Sequence, residues 1–158
     1  MKETILVIDD EKAQLEALSG YLRKKGFRVL TAQDGLAGAA EAEKESVDLV
    51  LTDMRMPGMD GLSLLERVKE RSPETGVIVI TAFGHVEDAV QAMKAGAEDF
   101  IQKPADLSMI DLLIRRVLER KRLVHENREL KETLRGRHDF KQLISGSPAM
   151  EEALNLAS

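Results

Sequence analysis

The sequence predicts a doubly wound α/β fold built on five parallel strands. Five short aliphatic runs alternate with five segments of helical periodicity, and this strict order implies a parallel sheet with right-handed crossovers. The runs are continuously apolar, which is typical of strands that helices cover on both faces. They span residues 4–8, 28–32, 48–53, 76–82 and 99–103.

Four helices are predicted between these strands, and a fifth follows the last strand. The segments are 12–25, 35–45, 61–71 and 85–95, with the fifth beginning near Asp106. In the first segment, Leu15, Leu18 and Leu22 recur on one helix face. Gly26 lies just past the end of that segment, where a left-handed C-cap is expected. We expect the compact domain to end near residue 118.

The fifth helix is expected to continue far beyond the compact domain. No Gly or Pro interrupts residues 107–135, and about thirty helical residues span about 45 Å. Part of this helix approximates a seven-residue repeat of core positions. Leucine or asparagine occupies five of them, Leu113, Leu123, Asn127, Leu130 and Leu134, and the charged Arg116 and Arg120 occupy two. A charged, solvated helix is the alternative, but one Asn among core leucines fixes register in two-stranded coils. The pattern therefore favours a dimerising coiled-coil linker.

Charge and pattern divide the chain into three parts. Residues 115–137 contain nine Lys or Arg and four Glu, which gives this segment a net charge of +5. Because the whole chain has a net charge of −5, the remaining residues carry −10. After Gly136 the helical pattern breaks, and the last residues are too few to bury a core. We predict a compact domain over 1–120, a helical linker over 121–136, and the truncated start of another domain over 137–158.

Composition excludes several classes of site. The chain has no cysteine, which excludes disulfides, thiolate metal sites and cysteine nucleophiles. Its first residues run straight into a strand pattern rather than a signal peptide. No apolar stretch approaches the ~18 residues that a membrane helix needs. A cytoplasmic protein without membrane contact is expected.

Chemically active side chains stand at the ends of four predicted strands. Asp9 and Asp10 follow the first strand, Asp53 ends the third, Thr81 lies at the end of the fourth, and Lys103 ends the fifth. Ligands of open α/β sheets bind outside the carboxyl ends of the strands. The five side chains are therefore expected to converge at one edge.

Such a cluster is suited to phosphoryl transfer. Clustered carboxylates repel one another, and Mg²⁺ relieves the repulsion through oxygen ligands. Asp53 is then the nucleophile that attacks phosphorus, with Lys103 as the opposing cation and Thr81 as a hydroxyl donor. Taken singly, each residue has a simpler explanation, since an Asp at a strand end usually caps a helix or forms a turn. The combination favours the chemical interpretation.

Four stretches resemble the receiver domain of bacterial response regulators, over about residues 3–120. They are "VIDDEK", "DMRMPGMDGL", "VIVITAFG" and "AMKAGAEDFIQKP". The resemblance implies a flavodoxin-like sheet of order 2-1-3-4-5 and a regulatory phosphoacceptor rather than an enzyme. It implies Asp53 as the phosphoacceptor, Asp10 and Asp53 as direct Mg²⁺ ligands, Asp9 acting through water, and the backbone carbonyl of Arg55 as a further ligand.

The same resemblance implies a switch and its partners. Thr81 and Phe100 are the expected switch pair, and the Lys103–Pro104 peptide bond is often cis in this family. A sensor histidine kinase is the implied phosphoryl donor. Homodimers are expected through the coil, with the fourth and fifth helices as a further surface.

The end of the chain narrows the expected subclass. The stretch "FKQLISGSPAMEEALNLAS" is similar to the opening of the AAA+ ATPase domain in NtrC-type activators, which work with sigma-54 RNA polymerase. No G-x-x-x-x-G-K-[ST] motif occurs in the chain. The resemblance therefore implies a regulatory part of a larger activator whose polymerase and DNA contacts lie in absent domains.

Two other functions stay open at this point. One is a Mg²⁺-dependent phosphohydrolase with an aspartyl-phosphate intermediate. Such enzymes commonly place a second acid close after the nucleophile, where this chain has Met54 and Arg55. The other is a dimerisation module that does not depend on phosphorylation.

Overall fold

The computed structural model describes residues 2–82 and 85–145, with side chains as far as residue 130. Ten elements alternate in the predicted order. The strands are β1 (Thr4–Ile8), β2 (Arg28–Ala32), β3 (Leu49–Asp53), β4 (Gly76–Thr81) and β5 (Asp99–Gln102). The helices are α1 (Lys12–Lys24), α2 (Gly35–Lys44), α3 (Gly61–Arg71), α4 (Val86–Lys94) and α5 (Leu107–Ser145).

The five strands form one parallel sheet in the order β2-β1-β3-β4-β5. In the sheet register, Ile5 of β1 pairs with Leu49 of β3, and Asp53 of β3 pairs with Ile80 of β4. The predicted fold class and the strand order implied by the family resemblance are both confirmed. Chain order reverses beside β1, so the carboxyl ends of β1 and β3 flank the crevice where ligands of such sheets bind.

Two hydrophobic clusters cover the two faces of the sheet. One joins alternate strand residues such as Ile5 and Val7 to α1 and to the first turns of α5. The other joins their neighbours, such as Leu6 and Ile8, to α2, α3 and α4. Because successive strand side chains point to opposite faces, continuous aliphatic runs supply both clusters.

The described chain divides into two compact units between Leu118 and Glu119. Helix α5 contains this boundary and continues past Gly136, where the sequence pattern placed the end of the linker. The proposed limits at residues 120 and 136 stay predictions. Residues 146–158, which carry most of the predicted start of an ATPase domain, lie outside the described residues. Among the described helices, none combines the length and apolarity needed to cross a membrane.

Gly61, the first residue of α3, permits a close approach to the end of β3. A Cβ atom at this position would overlap the Asp53 carbonyl oxygen and lie 2.8 Å from Met54 Cα. The Gly61 amide donates to the Met54 carbonyl oxygen at 2.8 Å. The backbone around Asp53 is thus held in a turn that only glycine fits.

Replacing Gly61 by Ala tests this constraint against a matched glycine in α1. Gly20→Ala adds a Cβ with nothing within 4 Å and should raise the free energy of unfolding by about 0.4–1 kcal/mol. Gly61→Ala should lower it by about 1–3 kcal/mol, because the backbone must shift to relieve the overlap. Urea denaturation measures both, and equal effects of the two substitutions would contradict the proposed close approach.

Candidate functional site

Three carboxylates converge at the carboxyl edge of the sheet. Asp9 and Asp10 directly follow β1, and Asp53 is the last residue of β3. Each offers one oxygen within 4.8 Å of the oxygens from the other two. Asp9 is buried, Asp53 is half-buried and Asp10 is exposed, so the cluster opens toward solvent on one side.

Lys103 supplies a positive charge inside this cluster. Its Nζ donates to Asp9 Oδ2 and to Asp53 Oδ2, each at 3.0 Å, and only 19% of its side chain is exposed. Burial alone lowers the pKa of Lys103, but the hydrogen bonds to the two carboxylates and their charges outweigh it. The pKa therefore lies above the ordinary 10.5, and the ammonium remains charged throughout the neutral pH range.

Gln14 is a third acceptor for the same ammonium. Its Oε1 lies 2.6 Å from Lys103 Nζ, and its position in α1 places it beside the carboxyl end of β1. No sequence motif identifies Gln14, because a single polar side chain in the first turns of a helix belongs to no recognisable pattern.

Thr81 and Phe100 lie on the neighbouring strands β4 and β5. Thr81 is fully buried at the end of β4, and its carbonyl oxygen accepts the Lys103 amide at 2.7 Å. Phe100 pairs with Val79 in the sheet register and packs, partly buried, against the cluster beneath α2, α3 and α4. This backbone hydrogen bond places Thr81 next to Lys103 and so beside the charged site. The switch roles of Thr81 and Phe100 stay predictions.

The loop after β3 connects the site to α4. The Arg55 amide donates to Asp53 Oδ1 at 3.2 Å, and the Arg55 guanidinium lies 3.3 Å from Asp88 Oδ2 in the first turn of α4. No sequence pattern indicates this ion pair, since the partners are 33 residues apart. The ligand role of the Arg55 carbonyl stays a prediction. The Lys103–Pro104 bond is cis, as the resemblance implied.

The donor set fits a hard divalent cation. All three clustered side chains offer carboxylate oxygens, which Mg²⁺ prefers to nitrogen or sulfur. Three negative charges and the Lys103 ammonium leave a formal charge of −2, equal and opposite to that of one Mg²⁺. A cavity of about 500 Å³ adjoins the cluster and is lined in part by Asp9, Asp53, Lys103 and the small Ala82. A phosphoryl group can therefore approach Asp53 from solvent.

Comparisons with known proteins agree with this geometry. The sequence model of the response regulator receiver domain matches residues 5–115. The C4-dicarboxylate transport transcriptional regulatory protein DctD from Pseudomonas aeruginosa is 39% identical over 148 residues, which are 93% of this chain and 32% of DctD. The regulatory protein AtoC from Escherichia coli is 34% identical over 92% of this chain and 32% of its own length.

Solved structures match the fold. A CheY-like receiver domain protein from Methanospirillum hungatei superposes with a TM-score of 0.76 at 30% identity, covering 77% of this chain and 98% of that one. NtrX from Brucella abortus in complex with ADP gives a TM-score of 0.77 at 33% identity, covering 87% of this chain and 34% of that one. The chain spans about a third of the length of the curated relatives it matches. The resemblance inferred from the motifs is confirmed: this chain belongs to the response regulator receiver domain family.

Proposed function

We propose that the first unit is a phosphorylation-controlled switch that accepts a phosphoryl group on Asp53 from a histidine of a sensor kinase, with Mg²⁺ as cofactor. The observation that carries this proposal is the convergence of Asp9, Asp10 and Asp53 with the Lys103 ammonium at one sheet edge. The family match supports the same conclusion.

Each polar group has a role in the proposed transfer. One carboxylate oxygen of Asp53 attacks phosphorus, an O–P bond forms, and the P–N bond to the donor imidazole breaks with its electron pair returning to nitrogen. The Lys103 ammonium donates to a phosphoryl oxygen and is kept in place by its hydrogen bond to Asp9. Mg²⁺, held by Asp10 and Asp53 with Asp9 acting through water, would neutralise charge on the phosphoryl oxygens.

Helix α4 is the element best suited to respond. Ala92 is its one buried residue, while Val86, Val90 and Met93 are exposed. Phosphorylation adds about −1.5 to −2 of charge beside Asp53. We infer that Thr81 then moves toward the phosphoryl group, to which Lys103 donates from its place beside Asp53. Helix α4 and Phe100 then repack, because few buried contacts hold α4 in its resting position.

The output is inferred to be transcription control of the NtrC type. The match to DctD covers 148 residues and so extends past the receiver match at residues 5–115. A cyclic di-GMP phosphodiesterase from Thermotoga maritima is 36% identical over only 77% of this chain. The longer match favours a transcriptional regulator, acting with sigma-54 RNA polymerase and DNA through domains absent from this chain.

The linker is inferred to form a two-stranded coil. Within the second unit, Leu123 and Leu130 are 55% and 64% exposed on a continuous helix. With Asn127 between them, these residues follow the spacing of a coiled-coil seam. A second copy of the same helix would bury both leucines.

Replacing Asp53 by Asn should abolish acid-labile phosphate incorporation, because an amide oxygen is a poor nucleophile. Asp60→Asn is a matched control, since Asp60 caps α3 by accepting the Ser63 amide at 2.8 Å and Asn is an equally good cap. Labelling from acetyl phosphate with Mg²⁺ measures both variants. Undiminished labelling of Asp53→Asn would contradict the proposal, and repeated turnover of phosphate esters by trace protein would favour the phosphohydrolase.

Replacing Thr81 by Ala should separate phosphorylation from switching. The variant should still be labelled, but beryllofluoride should no longer change amide hydrogen exchange in α4, because the hydroxyl that follows the phosphoryl oxygens is missing. Thr81→Ser keeps that hydroxyl and should respond as the unmodified chain does. If beryllofluoride leaves α4 unchanged in all three proteins, the phosphorylation-independent dimerisation module becomes the better explanation.

Replacing Leu123 by Asp should convert a dimer into a monomer, because a charge in the seam is desolvated without a partner. Leu36→Asp is the control, as Leu36 is 61% exposed on α2 and lies outside the repeat. Light scattering gives the molecular mass of each protein. A monomeric unmodified chain, or a dimer that survives Leu123→Asp, would contradict the coil.

A further inference from the structure

Lys103 has three N–H donors, and each has an acceptor within hydrogen-bond distance. Two acceptors are the carboxylates of Asp9 and Asp53, at 3.0 Å each, which the proposed function already uses. The third is Gln14 Oε1, at 2.6 Å. An ammonium donates at most three hydrogen bonds, so Gln14 accepts the last one that Lys103 can donate.

Gln14 is itself held in the orientation that this contact requires. Its Nε2 donates to Glu11 Oε2 at 2.8 Å, and the Glu11 amide donates to Asp9 Oδ1 at 2.9 Å. Since a carboxylate only accepts and an ammonium only donates, the two partners fix which end of the Gln14 amide faces Lys103. The hydrogen bonds close a ring through Lys103, Asp9, Glu11 and Gln14.

We propose that Gln14 is a positioning residue for phosphoryl transfer, acting through Lys103; this inference rests on the proposed function. A lysine side chain is long and flexible, and acceptors in three directions confine its Nζ beside Asp53. When an Asp53 oxygen becomes bonded to phosphorus, the proton that Lys103 shares with Asp53 becomes available to a phosphoryl oxygen. The other two N–H groups of Lys103 continue to donate to Asp9 and Gln14, so the ammonium does not have to move.

The location of Gln14 agrees with this role. It lines the same cavity of about 500 Å³ as Asp9, Asp53 and Lys103. It makes no hydrogen bond to Asp10 or Asp53 among the described contacts, so its loss should affect the position of the ammonium rather than the carboxylates that would hold Mg²⁺.

The test compares Gln14→Met, which keeps side-chain length but removes the acceptor, with Gln33→Met, an exposed glutamine after β2. With acetyl phosphate and Mg²⁺, Gln14→Met should be labelled about threefold to tenfold more slowly, the loss expected for one hydrogen bond. Beryllofluoride affinity should fall similarly, while Mg²⁺ affinity and melting temperature should match those of Gln33→Met. In a Lys103→Met background, Gln14→Met should have no further effect.

The outcomes separate this inference from the proposed function. If the unmodified chain is labelled on Asp53 and Gln14→Met is labelled equally fast, only the role of Gln14 is overturned. The same holds if Gln14→Met slows labelling by the same factor without Lys103, or if Mg²⁺ affinity falls in parallel. If the unmodified chain is not labelled, both proposals fail.

Discussion

Two ion pairs join the Lys103 ammonium to Asp9 and Asp53 at the carboxyl edge of the sheet, and they keep three acidic groups together there. Three carboxylate oxygens within 4.8 Å of one another repel strongly when partly removed from water. The ammonium offsets part of that repulsion and leaves a charge that suits one divalent cation. The parallel sheet provides the placement, because it brings strand ends that are distant in sequence to one edge, and Gly61 allows the chain to turn away closely behind Asp53.

This charged edge is attached to parts of different rigidity. β1, β3 and β4 are almost entirely buried, so the acidic groups stand on a framework that resists movement. Helix α4 has one buried residue and an ion pair from Asp88 to the loop after Asp53. A change of charge at Asp53 therefore acts between a rigid sheet and a weakly held helix. We infer that this contrast in packing allows phosphorylation of Asp53 to alter the surface formed by α4.

Much of this arrangement followed from the sequence, because hydrophobic periodicity determines which face of each element is buried. The limits of the strands and of the first four helices were predicted to within a residue or two. The strand ends placed Asp9, Asp53 and Lys103 at one edge. Contacts of polar side chains away from the strand ends were not predictable in this way. Gln14 and the Arg55–Asp88 pair belong to no periodic pattern, and their partners become neighbours only after folding. The end of α5 was also missed, since Gly136 does not interrupt the helix.

A crystal structure of the complex with Mg²⁺ and beryllofluoride would show directly whether Asp53, the metal ion and Lys103 meet around one phosphoryl analogue. We expect the beryllium to be bonded to an Asp53 oxygen and Mg²⁺ to lie among Asp9, Asp10 and Asp53. Lys103 Nζ should donate to a fluorine while it keeps its hydrogen bond to Asp9. Beryllofluoride bound elsewhere, or bound to Asp53 with the Lys103 ammonium pointing away from it, would contradict the proposed roles of Asp53 and Lys103.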